Sequence, residues 1–77
     1  MADRLIVLFA DELMVDADTL TEDSTPDNTE NWDSLAAMRL VAAIEEEFDV
    51  ILSTAEIMKM RSIAIVKEVL QGKGVDV

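Results

Sequence analysis

At 77 residues the chain has room for one domain with a small hydrophobic core, and none for a separate cofactor domain or a deep catalytic cleft. Apolar residues make up 51% of it, which argues against disorder, and with only Phe9, Trp32 and Phe48 aromatic the core must come from Leu, Ile, Val, Met and Ala, which suit packed helices. A formal charge of -11, from 17 acidic and 6 basic residues, opposes binding to nucleic acid or an anionic membrane, and the absence of Cys and His removes disulfides, thiolate nucleophiles and the commonest general base.

Leu5, Ile6, Phe9, Ala10, Leu13 and Met14 recur at helical spacing, and Asp3 can cap the start. The spacing predicts a first helix from about Asp3 to Val15, apolar nearly all round at its beginning and therefore well buried. From Asp16 to Asp33 the pattern breaks into DADTLTEDSTPDNTENWD, with seven acids, no base and the only Pro. A loop of this length in a small domain is usually functional or disordered, and Leu20 and Trp32 are its only large apolar anchors. Ala37, Leu40, Val41, Ile44 and Phe48 then form one stripe of a helix over 35–48, capped by Asp33 or Ser34 and ended by Asp49 and Val50. Ser53-Thr54-Ala55-Glu56 fits a capping box opening a short helix to about Met60. Ser62 can cap a last helix with Ile63, Val66, Val69 and Leu70 inward and Gly72 as its glycine stop. The fold expected is all-α: a small bundle of three main helices plus one short helix, with a long loop between the first and second. A single domain spans 1–77, with a tail frayed from about residue 73.

The most informative stretch is Trp32-Asp33-Ser34-Leu35, where the acidic loop meets the best helix. The first turn of a helix offers unpaired N–H groups and a partial positive charge, which would stabilise a phosphate ester on Ser34. On the residues alone, the plainer reading is that Ser34 or Asp33 is no more than an N-cap.

With Asp33-Ser34-Leu35 opening the second helix and Glu45-Glu46-Glu47-Phe48-Asp49 ending it, the chain resembles the acyl carrier protein family over nearly its whole length. The resemblance implies that Ser34 Oγ receives 4′-phosphopantetheine from coenzyme A through a carrier protein transferase with Mg²⁺. It implies that Asp33 helps bind that enzyme and its metal, and that the arm's thiol holds acyl or related cargo as a thioester. The protein would then be a substrate and shuttle with no catalytic group of its own. Partner enzymes would load and transfer the cargo, and a monomer is the family expectation. The family can also shelter cargo between its second and third helices, where Ile44, Leu52, Ile57, Met60 and Ile63 are the matching positions.

Ser34, Met38 and Ala42 lie on one line of the second helix, with Leu35 beside it, predicting an exposed apolar strip next to the arm. Glu45 and Glu46 extend it as acidic contacts for partners with basic docking surfaces. Ala36 and Arg39 stand where the commonest fatty-acid carriers have acidic residues, so Arg39 reverses a charge on the docking helix. Trp32, Ile51, Leu52 and Met58 depart from those carriers too. These departures point to a dedicated lipid, polyketide or aminoacyl pathway rather than general fatty-acid synthesis.

The alternative from another class is an unmodified acidic adaptor, indifferent to Ser34→Ala. An EF-hand is excluded, because counting from Asp16 puts Thr21 and Asp27 where Gly and a bidentate Glu are required. The apolar run at 5–10 is short and followed by Asp11 and Glu12, so no secretory signal or membrane span is expected, and a cytoplasmic location is the default. Self-repulsion makes one prediction: millimolar Mg²⁺ or added salt raises the melting temperature, and unchanged melting in both contradicts it.

Overall fold

Every α-helix of the computed structural model, which describes residues 3–77, begins on a side-chain cap. Asp3 opens α1 (Arg4–Leu13), where one carboxylate oxygen accepts the Leu5 and Ile6 N–H groups at 2.9 and 3.4 Å. Asp33 opens α2 (Ser34–Phe48) by accepting the Ala36 N–H at 2.8 Å. Ser53 opens α3 (Thr54–Lys59) in a full capping box: its hydroxyl accepts the Glu56 N–H at 3.1 Å and Glu56 accepts the Ser53 N–H at 2.9 Å. Ser62 opens α4 (Ile63–Gly72) by accepting the Ile65 N–H at 3.1 Å. Each cap satisfies a donor that the helix cannot. Among the described residues there is no strand, and no helix is long and apolar enough to cross a membrane.

The core is built from one face of each long helix. α1 contributes Leu5, Leu8, Phe9, Ala10 and Leu13, α2 contributes Ala36, Leu40 and Ile44, and α4 contributes Ile63, Val66 and Leu70. The expected stripe on α2 is therefore rotated. Ala36, which the sequence left out of the core stripe, is 1% exposed, whereas Ala37, Val41 and Phe48 flank the core half-buried. Stepping by four from Ala36 through Leu40 to Ile44 puts these side chains in line against α1 and α4. On α1, Met14 does not face the core. It adopts the left-handed conformation that ends the helix (φ 59°) and its side chain is 86% exposed. Asp49 ends α2 in the same conformation. α3 contributes no buried residue and is held by its capping box, by Leu52 before it, and by the Glu56–Lys73 ion pair at 2.9 Å. The Ser53 N–H and the Lys73 ammonium hold the Glu56 carboxyl below its ordinary pKa.

The C-terminal end differs from expectation in two ways. Gly72 belongs to α4, and the left-handed residue beyond it is Gly74 (φ 87°). The tail expected to fray folds back: the Val75 N–H reaches the Leu70 carbonyl at 3.0 Å, the Gln71 amide reaches the Val77 carbonyl at 3.0 Å, and both valines pack on the core.

The long loop is tied down along its length. It carries a short 3-10 turn (Ala17–Thr19), then buries Leu20, Ser24 and Trp32. Trp32 meets Phe9 edge to face, with ring centroids 5.2 Å apart. The loop carbonyls of Ser24 and Glu22 accept the Ile63 and Ala64 N–H groups, at 3.2 and 3.0 Å, from the first turn of α4. The backbone between the two long helices thus completes the hydrogen bonding of a third.

Asp3 joins cap and cross-link, because its second carboxylate oxygen pairs with Lys67 of α4. Partial burial pushes the Asp3 pKa up, but the Lys67 ammonium and the Leu5 and Ile6 N–H groups outweigh it, so the carboxyl sits below its ordinary value. The bond to Asp3 holds the Lys67 pKa above its ordinary value, against the effect of burial. Asp3 therefore adds stability above the unfolded carboxylate pKa of about 4, lost as pH falls through its lower folded value. Lys67 adds stability below its unfolded pKa of about 10.4, lost as pH rises through its raised folded value. Asp3→Ala should lower the melting temperature by about 4–8 °C for the cap alone, and Asp3→Asn, which keeps a capping oxygen, by less. Thermal melts across pH check the pair: the advantage of the native chain over Asp3→Asn should be level from about pH 5 to 9 and shrink below about pH 4.

Candidate functional site

Ser34 is the first residue of α2, and it is exposed. Its position follows from the three residues before it. Asn31 takes the left-handed conformation (φ 69°), which Asn tolerates better than most residues, and its side-chain amide donates to the Leu13 carbonyl at the end of α1, at 2.8 Å. Trp32 drops into the core, and the Asp33 N–H turns back to the Asn31 carbonyl at 3.2 Å. The backbone then enters α2 with Asp33 as its cap, so Asp33 and not Ser34 plays that role. The Ser34 hydroxyl is left free of the capping duty that the sequence alone allowed it.

The electrostatics of the helix mouth follow from this cap. Asp33 takes the Ala36 N–H through its side chain and the Ala37 N–H through its carbonyl, at 2.8 and 2.9 Å. The remaining first-turn donors, the N–H groups of Ser34 and Leu35, have no acceptor within the helix. They add to the positive end of the helix dipole beside the Ser34 oxygen. A phosphate diester on that oxygen would be met by donors and by positive potential, so the residues present fit such a group.

The outward face of α2 continues from Ser34. Leu35 is 66% exposed and Met38 is 72% exposed, and Ala42, Arg39 and Glu46 are also exposed. The expected strip therefore exists as a surface. Glu45 is placed differently from Glu46. It is half-buried, and its carboxylate accepts the Leu52 N–H at 2.9 Å, bracing the α2–α3 connection. One Glu45 oxygen is thus committed to the fold. Of the expected cargo-lining positions, Ile44, Leu52 and Ile63 lie in the closed core, Met60 is half-buried and Ile57 faces outward. An open groove of about 780 Å³ runs instead between α1 and α2, lined by Val7, Leu8, Arg39, Ala42, Ala43 and Glu46 among others. Among the described residues, no group of three or more acidic side chains is placed to hold a metal ion.

Two contributors to the site were missed in the sequence. Asn31 is one, and its only signal was an Asn two residues ahead of a cap at the close of a loop. The other is the pair of carbonyls from Glu22 and Ser24, for which side-chain identity gives no signal at all.

A family model described as a phosphopantetheine attachment site matches residues 3–70, from the cap of α1 to the last core residue of α4. No curated protein matches the chain.

The cap and the charge of Asp33 separate in a simple pair of variants. Asp33→Ala should cost about 1 kcal/mol and lower the melting temperature by about 4–8 °C, while Asp33→Asn, which retains the accepting oxygen, should melt close to the native chain. Equal losses in both, read by thermal denaturation, would show that the carboxylate charge matters to the fold and not the cap.

Proposed function

The chain belongs to the phosphopantetheine attachment-site family, whose members carry a covalent 4′-phosphopantetheine group, and from that premise we propose that Ser34 Oγ is the point of attachment. The observation that carries this reading is the position of Ser34: an exposed hydroxyl on the first residue of α2, beside unpaired N–H groups, with the cap supplied by its neighbour. Attachment joins Ser34 Oγ to the β-phosphorus of coenzyme A and breaks the bond to the 3′,5′-ADP part, which leaves. The hydroxyl proton passes to a base of the transferase, since this chain has no His or Cys and the neighbouring Asp33 carboxylate is engaged as the helix cap. The arm supplies a thiol that holds acyl or related groups as thioesters.

On this reading the chain is a carrier and not an enzyme, and its own residues do two things. Asp33 helps bind the transferase and its Mg²⁺, while its side chain keeps the helix capped. Leu35, Met38 and Ala42 give partners an apolar surface next to the arm, with Glu46 and the outer part of Glu45 as acidic contacts for basic partner groups. The substitutions at Ala36 and Arg39 favour a dedicated lipid, polyketide or aminoacyl pathway. The expected setting is a cytoplasmic monomer.

Incubation with coenzyme A, Mg²⁺ and a broad-specificity phosphopantetheinyl transferase, followed by intact-mass measurement, tests the reading. The native chain should gain one phosphopantetheinyl group, Ser34→Ala none, and Asp33→Asn should load more slowly while staying folded. No gain by the native chain, or a gain that survives in Ser34→Ala, overturns it.

A further inference from the structure

The chain carries -11, yet the surface that surrounds Ser34 on α2 has the opposite sign. Between Ser34 and Ile44 there is no acidic residue, and the only charge is Arg39. Three of the six basic residues are used internally: Arg4 pairs with Glu47, Lys67 with Asp3 and Lys73 with Glu56. Among the described residues Arg39 closes no such pair, although Asp11, Glu12 and Glu46 line the same groove. Its side chain is exposed, one turn beyond Leu35 and next to Met38, on the face that leads away from Ser34. At 100° per residue Arg39 lies on the α1 side of that strip, with Glu46 about two turns further along the same side and Glu45 on the other, so a protein seated on the first half of α2 would meet a cation on that flank.

We propose that Arg39 is a specificity-determining residue for carrier loading and transfer. It disfavours partners whose docking surface places a Lys or Arg opposite the first half of α2, and it favours partners that present a carboxylate there. The inference rests on Ser34 being the attachment site. A like charge facing Arg39 opposes docking, and removing or reversing such a charge changes encounter and affinity while leaving chemistry at the Ser34 oxygen untouched. The net negative field of the chain still draws basic proteins in from a distance. Arg39 acts only at contact range, where it selects among them.

The test uses the full chain, a broad-specificity phosphopantetheinyl transferase with a basic carrier-facing surface, coenzyme A and Mg²⁺. Arg39→Glu should lower KM for the carrier roughly threefold to tenfold with kcat unchanged, and Arg39→Ala should fall between it and the native chain. A transferase variant with the facing Lys or Arg changed to Glu should reverse the order, loading the native chain best. Added salt should compress all these differences. Equal KM values for the three chains, or an order that the reversed transferase does not change, would overturn the proposal. So would a loss of melting temperature in Arg39→Glu with no change in KM, because Arg39 would then serve the fold. Failure of every chain to load would instead refute attachment at Ser34, so the two ideas fail separately.

Discussion

A helix end leaves main-chain donors and acceptors that the helix cannot satisfy, and here the loop between α1 and α2 supplies many of their partners. Asn31 reaches the last carbonyl of α1, Glu22 and Ser24 accept two N–H groups from the start of α4, and Asp33 accepts the Ala36 N–H of α2. Each such bond is worth about 1 kcal/mol net, but a buried group left unpaired costs more. An acidic segment with almost no regular structure is thereby held against three helices. Leu20 and Trp32 add the apolar burial that makes the attachment specific. The loop's length, which alone would suggest disorder, is what allows one segment to span these helix ends.

The placement of Ser34 is a consequence. Trp32 is buried and Asn31 is bonded to α1, so the next two residues leave the core in a defined direction. Asp33 then consumes the cap position, leaving a hydroxyl and two N–H donors facing outward at the positive end of a 15-residue helix. The division of labour between adjacent residues matters, since a serine that capped its own helix would have its oxygen engaged. Beyond it, the outward side of α2 is apolar where it is nearest Ser34 and acidic only past Ile44. On the proposed reading, the carrier's overall charge brings partners near and the neutral-to-basic half of α2 sorts them.

Much of this could be read from the residues. The caps at Asp3, Ser53 and Ser62 follow from side-chain chemistry with short-range geometry, and so does the capping box with Glu56. The Asp-Ser-Leu tripeptide at the close of an acidic loop pointed to the same helix mouth that the fold exposes. Burial at Ala36 was hidden because alanine is small enough for either side of a helix, and only packing against α1 and α4 decides it. Met14 carries the periodicity of α1 but falls on its terminal left-handed residue, where the helical register no longer sets the direction of the side chain. The folded-back tail depends on main-chain bonds from Val75 and to Val77, which no residue pattern announces. The role of Glu45 was likewise a matter of a backbone partner, Leu52, seven residues away.

Residue-resolved amide hydrogen exchange on the unmodified protein tests most directly whether the loop holds the helix mouth. Slow exchange at Ile63, Ala64 and Ala36, with fast exchange at Ser34 and Leu35, is the pattern expected of a loop bonded to helix ends and a free donor pair beside the Ser34 oxygen. Fast exchange at Ile63 and Ala64, or protection of Ser34 and Leu35, would contradict it.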